Sequence, residues 1–190
     1  MASEKLWCRF ILKTLFILGF LLQTVYASEL KHSEKLPLTP QLQKGALPWF
    51  VARDRSDKEP FSKKHLETFV GAQTKRVAIV FFATWCLPCR EGVVILRDKQ
   101  AELDKHGVQV VLVNTGENEV AKVEEWIKAN GNKNWLILID KFKNIQKNTG
   151  LISSNDSEIV FPKTILMDRE LKPILLIGAE GKDWPQILWE

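Results

Sequence analysis

The eight residues RVAIVFFA (76–83) constrain the fold of this chain more than any other stretch. A nearly unbroken apolar run of this length is typical of a strand that is buried on both faces of a sheet. Two further runs have the same character, VQVVLVN (108–114) and WLILID (135–140). Strands of this kind need helices above and below them, so the sequence predicts an α/β fold with a mainly parallel sheet covered on both faces.

Helical patterns separate these strands. Apolar residues recur at helical spacing over 93–103, and Lys105-His106-Gly107 then supplies a basic last turn and a glycine stop. A second helix carries apolar residues at helical spacing over 120–127, and we expect Glu117 and Glu119 in its first turn. The alternation of strands and helices supports parallel strands joined by helical crossovers.

Antiparallel pairs are predicted at both ends of the domain. PWFVARD (48–54) and EPFSKKHL (59–66) fit a short hairpin around the polar RSDK turn. KTILMD (163–168) and KPILLIGA (172–179) are spaced as a second hairpin. Asp183 is placed to cap a last short helix. The predicted sheet is therefore mixed, with an antiparallel edge.

Composition indicates one ordinary globular domain. The chain has 190 residues, of which 45% are hydrophobic and 26% are charged, and this is enough to bury a sizeable core. The formal net charge is only +4, and lysine and arginine are scattered among aspartate and glutamate. No basic stripe is present in the sequence, so we do not expect a nucleic-acid partner.

The first 27 residues resemble a secretory signal. A basic segment with Lys5, Arg9 and Lys13 leads into the apolar stretch 14–25, and small residues precede a cleavage point after Ala27. The continuous apolar core is too short to span about 30 Å of hydrocarbon comfortably. We therefore expect a cleaved signal peptide over 1–27 and export to the periplasm, with an uncleaved membrane anchor as the alternative.

Residues 28–45 are polar, contain two prolines and lack a sustained periodicity. This pattern predicts a loosely packed N-terminal arm. Order is expected to begin near Ala46, and a single domain is predicted over 46–190.

The stretch FFATWCLPCREG (81–92) carries a Cys-x-x-Cys pair. Removal of the signal after Ala27 takes Cys8 away and leaves Cys86 and Cys89 as the sulfurs able to pair. A zinc site needs about four ligands and usually two such pairs, so no metal is predicted. A structural disulfide is the plain alternative, but its loop is too short to stabilise the fold much. The histidines lack ligand spacing to the pair and are expected to be exposed: His32, His65 and His106.

A reversible redox pair is the favoured interpretation, because a helix is predicted to begin at the cysteines. Cys86 would lie at the positive end of the helix, where unpaired N–H groups stabilise a thiolate, and is predicted to be the nucleophile. Cys89, one turn further in, would resolve the mixed disulfide. Pro88 suits the first turn of a helix. Trp85 offers a flat apolar surface to a substrate, unless it belongs to the core.

Three blocks carry a family resemblance: FFATWCLPCRE (81–91), VLVNTGEN (111–118) and FPKTILMDRE (161–170). Over about 46–190 the chain resembles the thioredoxin-like TlpA and ResA type of extracytoplasmic thiol-disulfide oxidoreductases. The resemblance implies a thioredoxin-like fold with an extra N-terminal β-hairpin and a catalytic Cys-x-x-Cys. It also implies a cis-proline at Pro162, with the backbone of Phe161 pairing with the substrate chain. No cofactor is implied.

The chain departs from the resembled families in three places. Similar proteins often carry a buried glutamate where this chain has Gly92, and cytoplasmic thioredoxins carry a buried acid where it has Val80. The group that takes the proton from the second cysteine is therefore left open between solvent and a remote residue such as Glu91 or Lys58. The third departure is the extra length over 150–160, which we expect to influence the choice of partner.

The resemblance favours reduction of disulfides in exported proteins, with electrons from a membrane donor of the DsbD or CcdA sort. Apocytochrome c, before haem attachment, is a candidate substrate. Two alternatives remain: an oxidant that introduces disulfides, and a binding module that holds clients or copper without exchange. The pattern around Cys86 lacks the Pro-x-x-x-Thr-x-x-Cys of peroxiredoxins, which disfavours a peroxidase. The oligomeric state is left open.

Overall fold

The computed structural model describes residues 32–54, 60–152, 163–178 and 181–190. The strands are β1 (Lys35–Leu36), β2 (Val51–Asp54), β3 (Pro60–Ser62), β4 (Arg76–Phe82), β5 (Val108–Thr115), β6 (Leu136–Asp140), β7 (Lys163–Asp168) and β8 (Pro173–Ile177). The helices are α1 (Lys63–Phe69), α2 (Leu87–Asp98), α3 (Gln100–His106), α4 (Val120–Asn130), α5 (Asn144–Asn148) and α6 (Trp184–Ile187).

The described strands form one mixed sheet in the order β1-β8-β7-β4-β5-β6-β2-β3. The central pairs β4–β5 and β5–β6 are parallel, and the pairs on either side of them are antiparallel. The predicted mixed sheet with helices on both faces is confirmed. The first predicted hairpin is present as β2 and β3, and the second as β7 and β8.

Strand β4 lies in the middle of the sheet and is buried on both faces. Its side chains alternate between two core clusters, with Ala78, Val80 and Phe82 in one and Val77, Ile79 and Phe81 in the other. This follows from the two-residue period of a strand. Helices α2, α3, α4 and α6 cover the first face, whereas α1, α5 and the N-terminal segment cover the second. The apolar run therefore has the role that its composition predicted.

The N-terminal segment is packed, so the expectation that order begins near Ala46 is wrong. Strand β1 pairs with β8 at one edge of the sheet, while β2, further along the chain, lies near the other edge. Between them Leu42, Leu47 and Phe50 are fully buried in the core of the second face. A few well-spaced apolar side chains are enough to order an otherwise polar segment when a sheet face is uncovered.

The predicted signal peptide over 1–27 lies outside the described residues and stays a prediction. Within the part that the structure describes, no helix is long and apolar enough to cross a membrane.

Two predicted elements differ in the structure. The apolar periodicity after the cysteines predicted one helix to His106, but the backbone leaves helical geometry at Lys99 (φ −101°, ψ 12°), so α2 and α3 are separate. The predicted strand 59–66 ends at Ser62, where α1 begins. The backbone N–H of Ser62 donates to Nδ1 of His65 at 3.0 Å, a local cap that favours a helix over an extended strand.

The C-terminal helix α6 begins after Asp183, as predicted, but the Asp183 side chain does not cap it. Its carboxylate instead accepts hydrogen bonds from the backbone N–H and the hydroxyl of Ser33, at 2.8 and 2.9 Å. Burial is the largest single influence on the pKa of Asp183 and raises it. The hydrogen bonds together lower the pKa by more, so it lies below its ordinary value. The carboxylate therefore fastens the N-terminal segment to the C-terminal one.

Candidate active site

The cysteine pair lies at the junction of the central strand and the first long helix. Strand β4 ends at Phe82, and α2 begins at Leu87 with Cys86 in the N-cap position. The N–H of Cys86 donates to the carbonyl of Ala83 at 3.1 Å, which closes the short turn between the two elements. Pro88 occupies the first turn of α2, where its missing N–H leaves no gap in the helix. The predicted position of the pair at a helix N-terminus is present in the structure.

The two sulfurs are joined in a disulfide, and their Cα atoms are 5.3 Å apart. Cys86 is 5% exposed, whereas Cys89 is 1% exposed. The backbone N–H of Cys89 donates to Sγ of Cys86 at 3.3 Å. In the reduced protein that donor, together with the positive end of α2, is positioned to stabilise a thiolate on Cys86.

Glu117 fixes the loop that leads into the cysteines. Its carboxylate accepts from the backbone N–H of Thr84 at 2.8 Å and from the Thr84 hydroxyl, and Nδ2 of Asn114 also donates to it. Glu117 thus joins the loop after β4 to the end of β5. These residues lie close together because β4 and β5 are parallel neighbours, so their carboxyl ends lie side by side.

Sequence reasoning missed this role, because it placed Glu117 in the first turn of a helix. Helix α4 begins only at Val120, so Glu117 lies in the preceding loop. A signal was present: Asn114 lies near the end of one buried strand, Glu117 follows that strand, and Thr84 follows the strand before it. Polar residues at the carboxyl ends of adjacent parallel strands meet in space.

The residues flanking Cys86 form an apolar surface. Trp85 is 68% exposed and Leu87 is 63% exposed. The alternative that Trp85 belongs to the core is therefore wrong, while its predicted contact with substrate stays a prediction. Pro88 is also exposed.

Phe161 and Pro162 lie outside the described residues, so the predicted cis-proline and the backbone pairing of Phe161 stay predictions. The next residue, Lys163, begins β7 and pairs with Phe81 of β4. The chain thus enters β7 beside the end of β4 that leads to the cysteines.

The two positions at which similar proteins carry a buried acid, Gly92 and Val80, are buried in this structure as well. Gly92 lies on the same inner face of α2 as Cys89, and Val80 lies in the core. Glu91 is exposed, so it lies on the solvent side of α2. Lys58 is outside the described residues.

Asp140 is a buried acid at the end of β6, and its carboxylate is occupied by hydrogen bonds. Burial raises its pKa, against the lowering effect of hydrogen bonds from the N–H groups of Asn144 and Ile145. Those two bonds, at 2.7 and 2.8 Å, make Asp140 the anchor for the start of α5.

The three histidines, which were predicted to be exposed, make contacts within the fold. His65 is exposed and bonds Ser62, His32 is exposed and contacts Asp183, and His106 is half-buried and stacks on the ring of Trp189. Within the described ranges, no three His, Cys, Asp or Glu side chains are grouped so that they could hold a metal ion.

A family comparison decides where this site belongs. The model of the Redoxin family matches residues 48–172, which is more than half of the chain. The chain belongs to the redoxin family. The thiol-disulfide oxidoreductase ResA of Bacillus thuringiensis subsp. konkukian is 27% identical over 180 residues, covering 95% of this chain and 91% of that protein. ResA of Bacillus subtilis is 32% identical over 66 residues, covering 35% of this chain and 36% of that one.

Solved structures of other proteins have the same fold. A putative thiol:disulfide interchange protein DsbE from Chlorobium tepidum matches with a TM-score of 0.58 and 20% identity, covering 76% of this chain and 93% of that one. A secreted thiol-disulfide isomerase from Corynebacterium glutamicum matches with a TM-score of 0.60 and 18% identity, covering 75% and 82%. The predicted thioredoxin-like fold is confirmed. Family, fold and cysteine pair together identify a redoxin-family thiol-disulfide oxidoreductase.

Proposed function

We propose that this redoxin-family protein reduces disulfides in exported proteins, with Cys86 as the nucleophile and Cys89 as the resolving cysteine. The observation that carries the proposal is the position of Cys86 at the N-cap of α2, where Sγ accepts the Cys89 N–H. A sulfur in this position is stabilised as the thiolate, which is the attacking form in disulfide exchange. The difference in burial supports the division of roles, since Cys86 is the more exposed of the two.

The reaction proceeds in two exchanges. The Cys86 thiolate attacks one sulfur of the substrate disulfide, so that a mixed disulfide forms and the other substrate sulfur leaves as a thiolate and takes a proton. Cys89 then loses its proton and attacks Sγ of Cys86. The Cys86–Cys89 disulfide forms and the second substrate sulfur is released as a thiol. Two electrons and two protons have passed to the substrate.

The direction of transfer rests on the resemblance to the TlpA and ResA type, which implies a protein that is kept reduced. The proposed electron source is a membrane donor of the DsbD or CcdA sort, which would reduce the Cys86–Cys89 disulfide after each turnover. Export rests on the signal predicted over 1–27. Apocytochrome c before haem attachment is the proposed candidate substrate.

Insulin reduction by dithiothreitol tests the catalytic pair. The wild type should accelerate the reaction, and Cys86→Ser should abolish the acceleration because the attacking thiolate is gone. Cys89→Ser keeps the attacking sulfur but not the resolving one. When it is mixed with insulin after the dithiothreitol has been removed, it should accumulate a mixed disulfide visible on a non-reducing gel. The double variant is the matched control for trapping. Equal activity of the wild type and Cys86→Ser would refute the proposal and favour a binding module.

The redox potential tests the direction. Equilibration of the Cys86–Cys89 pair with glutathione of known ratio gives the potential directly. A value near about −250 mV agrees with a reductant, whereas a value near about −120 mV is that of a strong oxidant and would reverse the proposed direction.

A further inference from the structure

An apolar groove begins beside Cys86 and runs along the outer face of α2, between α2 and α4. It has a volume of about 420 Å³ and is lined by Leu87, Arg90, Glu91, Val94, Ile95, Trp126 and Asn130. Leu87, Val94 and Ile95 supply aliphatic surface from α2. The two helices are tied together beyond the groove by Arg97, whose guanidinium donates to the carbonyl of Asn130 at 3.2 Å.

The wall on the α4 side is the ring of Trp126. This ring lies 5.7 Å from that of Phe82, the last residue of β4, and the guanidinium carbon of Arg90 lies 6.0 Å from its centroid. The indole N–H is buried and has no acceptor within the part of the chain described. The accessible part of the Trp126 side chain is therefore carbon, which suits an apolar occupant.

The groove is continuous with the redox site, so a protein substrate bound at Cys86 lies beside it. Leu87 directly follows Cys86 and is mostly exposed, as is Trp85 on the other side of the cysteine. Any protein that is joined to Sγ of Cys86 must lie over this surface. Its chain can leave the cysteine along the groove. The two charged residues that line the groove, Arg90 and Glu91, are exposed and of opposite sign, so the lining carries no net charge.

We propose that the groove binds an extended segment of the protein substrate and selects an apolar side chain about four residues from the attacked cysteine. The spacing follows from geometry. Ile95 is nine positions after Cys86 on α2, or roughly 14 Å along the helix axis at about 1.5 Å per residue. An extended chain covers that distance in about four residues at about 3.3 Å each. This inference rests on the proposed attack by Cys86 and adds the substrate class: unfolded segments with a large apolar residue near a cysteine.

The test uses the full-length Cys89→Ser protein and synthetic peptides whose single cysteine carries a pyridine-2-thiol leaving group. The Cys86 thiolate bonds to the peptide sulfur, the bond from that sulfur to the pyridine thiol breaks, and the released pyridine-2-thione is measured by absorbance. One peptide has leucine four residues after the cysteine, one has it four residues before, and one has serine at both places. Activated N-acetylcysteine amide serves as the small probe.

We expect the better leucine peptide to react about tenfold faster than the serine peptide, a preference equivalent to about 1.4 kcal/mol. Ile95→Ser and Val94→Glu, each in the Cys89→Ser protein, should bring this ratio close to one. Ile174→Ser is the matched control, because Ile174 is a half-exposed isoleucine on β8. It should keep the ratio, and all variants should react with the small probe at the parent rate.

The possible failures are distinguishable. Equal rates for all peptides, or a leucine preference that survives both groove variants, would overturn the groove while leaving attack by Cys86 intact. A variant that also reacts more slowly with the small probe acts through Cys86 or through folding. If both groove variants react more slowly with the small probe, the inference is overturned. Failure of the parent protein with the small probe would refute the proposed function itself. Thermal unfolding of each variant identifies any that do not fold.

Discussion

Two parallel strands, β4 and β6, lie on either side of β5 and end in loops that a carboxylate holds, but the two carboxylates have different surroundings. In the loop after β4, the N–H and the hydroxyl of Thr84 donate hydrogen bonds to Glu117, which is only half-buried. After β6, Asp140 receives the N–H groups of Asn144 and Ile145, and it is 1% exposed.

The difference shows which loop serves the fold and which serves the site. Asp140 bonds amides four and five residues ahead of it and lies in the core, so it stabilises one local turn at the start of α5. Glu117 bonds a residue 33 positions away, two residues before Cys86, and it stays in contact with solvent. We therefore expect loss of Asp140 to affect stability and loss of Glu117 to affect the reaction rate.

The largest effect is expected for Asp140→Ala. The substitution leaves two N–H groups without an acceptor, one of them buried, and should lower the free energy of unfolding by about 2–3 kcal/mol. Urea denaturation measures this loss. Asp140→Asn keeps an acceptor oxygen and should lose less. Insulin reduction per folded molecule should stay within about twofold of the wild type; a larger fall would mean that this loop also positions the cysteines.

Glu117→Ala should show the opposite pattern. Without the carboxylate the Thr84 loop is no longer held, so the insulin-reduction rate should fall about tenfold because small misplacements of a reacting group are costly. The free energy of unfolding should fall by only about 1 kcal/mol, since the site is partly solvated. Glu117→Gln, which retains one acceptor oxygen, is the matched control and should recover part of the rate. An unchanged rate in Glu117→Ala would remove Glu117 from the site.

The pH dependence of stability sharpens the contrast at Asp140. Its pKa is raised by burial in the folded state, above the ordinary value of 3.8. The Asp140 carboxyl group therefore loses its proton at a lower pH in the unfolded chain than in the folded one. The stability that the protonated carboxyl group contributes is lost as pH rises through the folded pKa. Relative to Asp140→Asn, which does not titrate, the wild type should become less stable over that window in urea titrations. A difference that does not change with pH would contradict the raised pKa.

The smallest effects are expected where the loop after β5 meets the loop after β6. Lys143 and Gly116 both have positive φ, 57° and 71°, and a Cβ on Gly116 would lie 3.0 Å from Cε of Lys143. Lys143→Gly should relieve an unfavourable backbone conformation and raise the free energy of unfolding by about 0.5 kcal/mol. Gly116→Ala should lower it by about 1 kcal/mol. Thermal unfolding of both variants tests the signs, and equal signs would contradict the conformational account.

The elements that sequence reasoning predicted best are those with the strongest periodicity. The buried run of β4 lies where predicted, and the helix predicted after Cys89 is present as far as Asp98. Burial on two faces of a strand and burial on one face of a helix leave different periodicities in a sequence. The least successful prediction was the loosely packed arm over 28–45. Its described part, 32–45, has few apolar side chains, and they have no regular spacing. Leu42 is buried only because the second face of the sheet is left uncovered by the other elements.

The sequence by itself determined the strand–helix order, the family and the location of the cysteine pair at a helix N-terminus, since these depend on local pattern and on motif spacing. Only the tertiary structure decided the partner of Glu117, the covering of the second face by the N-terminal segment, and the groove between α2 and α4. Each of these joins residues that are distant in sequence: Thr84 and Glu117 are 33 positions apart, and Arg97 and Asn130 are as well. No local pattern records such contacts, because strand pairing and helix packing bring the residues together only when the sheet forms.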